Sequence, residues 1–175
     1  MKNVEAAELL QAIADLLEIE GENPYKVRAY RRAAEEILLS PHDLAELHRQ
    51  GRLREIPQVG EAIARKLGEW LDTGKLSFYE QLVARTPLSL REILKVPGLG
   101  PKLTGELYRR LGITNIEDLR RAVAAGRLRG FPGIGPHKEA AIRSYLGMAP
   151  AIADATAAYE AEPPPAPPRS ETPSS

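Results

Sequence analysis

Three short stretches carry residue types that could hold an anion. Ile56-Pro57-Gln58-Val59-Gly60, Val96-Pro97-Gly98-Leu99-Gly100 and Phe131-Pro132-Gly133-Ile134-Gly135 share one pattern: apolar, proline, glycine or glutamine, apolar, glycine. Each precedes a helical stretch with basic residues in its first turns: Arg65 and Lys66, Lys102, and Lys138. The pattern fits a tight turn between two helices. Proline ends the first helix, and glycine admits positive φ and lets an outside group approach the backbone. The second helix begins with N–H groups that have no intrahelical acceptor. Together with the positive end of the helix dipole, they form a site for a phosphate oxygen. Val59, Gly60, Gly98, Gly100, Gly133 and Gly135 are therefore candidate contacts to a DNA backbone, with Arg65, Lys102 and Lys138 supplying charge. None of these groups is expected to read a base edge, so recognition should be of backbone and shape. Gly98-Leu99-Gly100 is not a dinucleotide fingerprint, since no strand precedes it and Leu103 stands where a glycine would be needed. No Gly-Lys-Ser/Thr occurs, which removes a Walker loop.

The elements around these turns read as helices. Apolar residues recur at helical spacing over residues 3–20, through Leu9, Leu10, Ile13, Leu16 and Leu17. Asn23-Pro24 is a helix start, and its helix should run to Ser40-Pro41. Further helices are expected over Asp43–Gln50, Glu61–Thr73, Ser77–Arg85, Leu88–Val96, Pro101–Leu111, Asn115–Ala125 and Pro136–Leu146. The repeat extends upstream of two turns, as Gly51-Arg52-Leu53-Arg54 and Gly126-Arg127-Leu128-Arg129. No stretch alternates long enough for a strand. The expected fold is all-α, with tandem helix-hairpin-helix domains over 1–82 and 88–147. A Pro-rich acidic tail over 148–175, containing Pro163-Pro164-Pro165, is expected to be disordered.

Composition narrows the classes. The 175-residue chain has no cysteine, which excludes disulfides and thiolate chemistry. No apolar run approaches the ~20 residues of a membrane span, so a cytoplasmic, nucleoid-associated monomer is expected. Formal charge is zero, but residues 1–22 carry one lysine against six carboxylates, whereas 23–147 carry 22 Lys/Arg against 14 Asp/Glu. Aromatic residues make up only 5%, too few for a stacking platform along single strands. His42, His48 and His137 lack metal-ligand spacing and read as surface residues.

Over residues 1–147 the chain resembles the N-terminal region of bacterial family X DNA polymerases, which are related to DNA polymerase beta. The resemblance rests on Asn23 through Ala34, Thr73-Gly74-Lys75-Leu76 and the three hairpins. It implies a small lyase-type domain followed by a fingers-like domain, both gripping DNA beside a gap or nick. It also implies a monovalent cation, Na or K, at hairpin carbonyls; no other cofactor is expected. No Gly-Ser followed by a paired-aspartate strand is present, so no polymerase activity is expected. One enzymatic reading follows from the resemblance: a 5′-deoxyribose-phosphate lyase in which Lys66 forms a Schiff base, with Lys26 on the 5′ phosphate and Tyr30 on the sugar. Ala62 replaces a second family lysine, and Gln58 replaces the first hairpin glycine. Three readings follow: a DNA-binding repair module, the lyase, and an adaptor whose hairpins and Pro-rich tail bind protein partners.

Overall fold

A computed structural model describes residues 1–150. Among these residues the chain forms helices and no strand: α1 (Asn3–Glu20), α2 (Pro24–Leu39), α3 (Leu44–Arg49), α4 (Glu61–Thr73), α5 (Ser77–Arg85), α6 (Leu90–Ile93), α7 (Pro101–Leu111), α8 (Ile116–Ala124) and α9 (Pro136–Tyr145). The tail expected to be disordered lies, from residue 151 on, outside the described residues. Met148 and Ala149 are still tied to the body, by the Met148 N–H to the Arg143 carbonyl at 2.9 Å and Arg143 Nη1 to the Ala149 carbonyl at 3.0 Å.

Local chemistry explains most boundaries. Asn23 Oδ1 accepts the Tyr25 N–H at 2.9 Å, Asp43 Oδ1 accepts that of Ala45 at 3.3 Å, and Asn115 Oδ1 accepts that of Asp118 at 2.7 Å. Gly21, Gly74 and Gly112 end α1, α4 and α7 in the left-handed conformation. Two stretches differ from expectation. The helix expected over Leu88–Val96 contracts to Leu90–Ile93, because its flanks close with i to i+3 bonds: Leu90 N–H to Pro87, Arg91 to Leu88 and Lys95 to Glu92. Confined between Pro87 and Pro97, this stretch has little room to develop an α ladder. Leu53–Glu55 forms a 3₁₀ turn that no periodicity could announce, being three residues long.

The core centres on α1. Beyond Glu8 no residue of this helix is exposed, and Leu10, Ile13, Ala14 and Leu16 are completely buried. A helix apolar on nearly every side must be covered on every side. Helix α2 covers one side, and α5, α6 and α7 cover others, so the two halves of the chain share one core. Gly105 of α7 marks the tightest point: a Cβ there would sit 2.5 Å from the Ile19 carbonyl oxygen. The acids of α1 close the same junction. Asp15 takes Arg31 of α2 at 2.9 Å and Arg91 of α6 at 2.8 Å, and Glu20 takes Arg85 at 2.7 Å and the Thr86 hydroxyl at 2.5 Å. Burial opposes ionisation of Glu20, but the bonds from Arg85 and Thr86 outweigh it and hold the carboxyl below its ordinary value. This tie is present above the ordinary carboxylate range and is lost as pH falls through the lowered value.

Gly105→Ala should lower stability by about 1–3 kcal/mol, since the added methyl meets backbone rather than a flexible side chain. Chemical denaturation checks this; an unchanged midpoint would mean that α7 does not rest on α1.

Candidate nucleic-acid interface

The three hairpins have the same backbone. The first apolar residue accepts from the second: Val59 N–H to Ile56 at 3.1 Å, Leu99 to Val96 at 3.1 Å, Ile134 to Phe131 at 3.0 Å. Both apolar side chains of each turn are buried, which roots the turn in the core. Val59 is therefore an anchor. Its side chain is 4% exposed and its N–H is used within the turn.

The two glycine positions divide the work that the pattern assigned to glycine as a type. Positive φ falls on the first position: Gln58 at 67°, Gly98 at 83° and Gly133 at 89°. The second position is extended, with Gly60, Gly100 and Gly135 at φ −83°, −79° and −91°. Nothing lies within 4 Å of a Cβ built on any of these three. Neither conformation nor packing inside the protein requires glycine there. Glycine caps a helix better than alanine does, and a small residue also leaves the helix end open to a group arriving from solvent.

What arrives would meet free donors. The first ladder bonds run from Ala64 to Gly60, Thr104 to Gly100 and Glu139 to Gly135, at 2.9, 2.9 and 3.0 Å. The N–H groups before them, such as those of Lys102 and Leu103 in α7, have no acceptor within the helix, and no side chain caps any of the three ends. That is an anion site of the backbone kind. The carbonyls of Val59, Leu99 and Ile134 accept no hydrogen bond from the described residues and are the oxygen donors a monovalent cation would use.

The second and third hairpins interlock. A Cβ on Gly98 would lie 2.8 Å from Lys138 Cγ, and one on Gly133 would lie 2.9 Å from Leu103 Cδ2. Leu103 and Lys138 each stand five residues after the first glycine of their own turn, so the contact is reciprocal, as a local two-fold requires. Lys138 thus reaches across, its stem lying on Gly98 and its ammonium delivered beside the second hairpin rather than its own. His137, which the sequence pattern left as a bare surface residue, occupies in α9 the place Lys102 occupies in α7. Only the register between repeats could have revealed it.

The first hairpin is different. Glu61 stands at the first helical position, where α7 and α9 have proline, and pairs with Arg65 at 3.7 Å. An acid at that end repels phosphate and occupies the arginine expected to attract it. This hairpin instead borders a cleft of about 590 Å³ lined by Gly60, Ala62, Lys26, Tyr30, Lys66 and Phe78, among others. Three residues named from the resemblance, Lys26, Tyr30 and Lys66, therefore meet at one site. Burial, then the charges of Arg65 and Lys26, push the Lys66 amine below its ordinary value, opposed by Glu69. Burial pushes the Tyr30 phenol up; its ring is 8% exposed and its hydroxyl bonds to no described residue. Lys26 is exposed, 4.0 Å from Glu22.

Residues 1–76 match the family described as Helix-hairpin-helix domain, and residues 90–147 match that described as SAM-like Helix-hairpin-helix tandem. The protein thus carries helix-hairpin-helix modules along most of the described chain. It is 34% identical, over 141 residues, to the DNA polymerase/3′-5′ exonuclease PolX of Bacillus subtilis (strain 168), a match covering 81% of this chain and 24% of that protein. The chain spans about a quarter of the length of this curated relative, and over that part the resemblance to family X polymerases holds. No helix among the described residues is long and apolar enough to cross a membrane, and no group of three or more His, Cys, Asp or Glu among them could hold a metal ion.

Gly100→Ala and Gly135→Ala should lower stability only by the ~0.5 kcal/mol of a poorer helix cap while weakening DNA binding severalfold, because the methyl meets empty space in the free protein. Gly98→Ala should instead destabilise by roughly 1 kcal/mol or more, through positive φ and collision with Lys138. Paired melting and anisotropy titrations separate the two; equal behaviour of Gly98 and Gly100 would refute the division of roles.

Proposed function

We propose that this protein grips the sugar-phosphate backbone of DNA at gaps or nicks, in DNA repair, through helix-hairpin-helix units over about 1–82 and 88–147. The observation that carries this reading is the open glycine at each hairpin, Gly60, Gly100 and Gly135, with uncapped amides behind it and empty space where a side chain would stand. Charge supports it. Among the described residues Arg28, Arg32, Arg54, Lys75, Lys102, Arg127 and Lys138 pair with no carboxylate, whereas Asp15, Glu18 and Glu20 of α1 are occupied at the junction. Hairpins at two places on one core suit a duplex that can bend at an interruption, with the outward carbonyls of Val59, Leu99 and Ile134 available to Na or K.

A second reading is favoured by the cleft: a 5′-deoxyribose-phosphate lyase. The neutral Lys66 amine would add to the sugar aldehyde carbon and water would leave as the Schiff base forms. β-Elimination would then pass a proton from the α carbon to water, form a carbon–carbon double bond and expel the phosphate on the β carbon, and hydrolysis of the Schiff base would free Lys66. Tyr30 would face the sugar and Lys26 the 5′ phosphate. Ala62 and Glu61 make this phosphate subsite poorer in charge than a second lysine would.

Anisotropy titrations with gapped, nicked and intact duplex across salt test the binding reading. With about five or more phosphate contacts, log affinity falls steeply and linearly with log salt, gapped DNA binds best, and scrambling the bases changes affinity by less than ~1 kcal/mol. A strong sequence preference at fixed salt would refute it. Borohydride trapping on a one-nucleotide gap carrying a 5′-deoxyribose phosphate tests the second reading. A weak covalent adduct is expected, most of it lost in Lys66→Ala, with Lys26→Ala raising the DNA concentration needed. No adduct above that of a lysine-rich control protein would remove the lyase.

A further inference from the structure

One wall of the Lys66 cleft belongs to neither the hairpin pattern nor the resemblance. Phe78, the second residue of α5, stacks on Tyr30 with ring centroids 6.3 Å apart and planes 8° from parallel. On the same ring, Lys66 Nζ lies 4.8 Å from the centroid. Phe78 is thus in contact with both side chains to which the lyase reading gives a role. The first turn of α5 is fixed in turn by Glu69 of α4, whose Oε1 accepts the Ser77 hydroxyl at 2.5 Å and the Ser77 N–H at 3.2 Å. The carboxylate nearest the lysine in sequence is therefore engaged with α5.

We propose that Phe78 is a positioning residue for Lys66, its ring holding the ammonium at the cleft and releasing the amine once it is neutral. The inference rests on the lyase reading for its purpose, though not for its physics. A ring face attracts an ammonium and has little hold on a neutral amine. Arg65 and Lys26 repel that ammonium and Glu69 attracts it, and Glu22, Glu61 and Arg85 also line the cleft. From α5 it meets an aromatic face. The lysine is thereby kept within the cleft while charged and is freed in the form able to attack a carbonyl carbon. Tyr30, stacked on the same ring, keeps a fixed position as Lys66 leaves.

The test uses the whole chain and reads Lys66 itself. The pH profile of reductive methylation at Lys66 is measured by peptide mass spectrometry, with exposed Lys75 as internal control. Phe78→Leu, and Phe78→Met as a flexible replacement of similar volume, should move the Lys66 midpoint to lower pH. At a given pH below the midpoint the neutral fraction should rise about two- to fivefold. Phe78→Tyr keeps a ring face and should retain the wild-type profile, and Lys75 should not move in any variant. A Lys66 midpoint that stays or rises in both Leu and Met variants overturns the proposal, whatever the change in maximal rate. If wild-type protein traps no aldehyde DNA while the midpoint still falls, the lyase reading fails and the hold of Phe78 on Lys66 stands.

Discussion

Helix α1 has to be covered on every side, and the rest of the molecule follows from that demand. Its residues beyond Glu8 are all at least partly buried, with small alanines between the larger side chains. Small residues let neighbouring backbones come close, and α7 comes so close that Gly105 has no room for a methyl. The first hairpin is carried by α4 and the other two by α7 and α9. Were α1 covered by α2 alone, the hairpins would sit on separately moving bodies. Sharing its surface fixes their spacing.

The same helix settles the electrostatics. A chain of zero formal charge is a poor candidate for a polyanion until the location of its acids is known. Asp15, Glu18 and Glu20 face arginines of α2 and α5 and the start of α6, where they act as internal counter-ions. Glu139, just inside the third hairpin, is buried against Arg143 at 3.5 Å and Arg129 at 3.7 Å, which neutralises the one acid that would oppose phosphate there. Glu61 has no such cover beyond exposed Arg65. The hairpins are thus unequal in charge although equal in backbone.

Much of this was legible in the sequence because it is local. Helix ends marked by Asn23-Pro24, Gly74 or Pro101 fall where cap and breaker chemistry places them. Lys26, Tyr30 and Lys66 were named together from a resemblance, and the cleft does unite them. What was not legible depends on neighbours distant in the chain. That Lys138 lies on Gly98 needs two helices brought together at a particular angle. Phe78 carries no signal in the sequence, because an aromatic residue near a helix start gives no hint of which lysine will rest on it.

Glycine shows the limit most clearly. Composition and pattern treat the paired glycines of each turn as one motif, yet they answer to different partners. The first is demanded from within, by positive φ, and Gln58 shows that a side chain is accommodated there, in a conformation L residues seldom adopt. The second is not demanded by packing or by positive φ, since its backbone is extended and its surroundings are empty, although glycine caps a helix better than alanine does. Repeated at three structurally equivalent places, it leaves each helix end open to a group from outside the chain. The hairpins therefore suit a phosphate-bearing ligand by the space they leave as much as by the charges they carry.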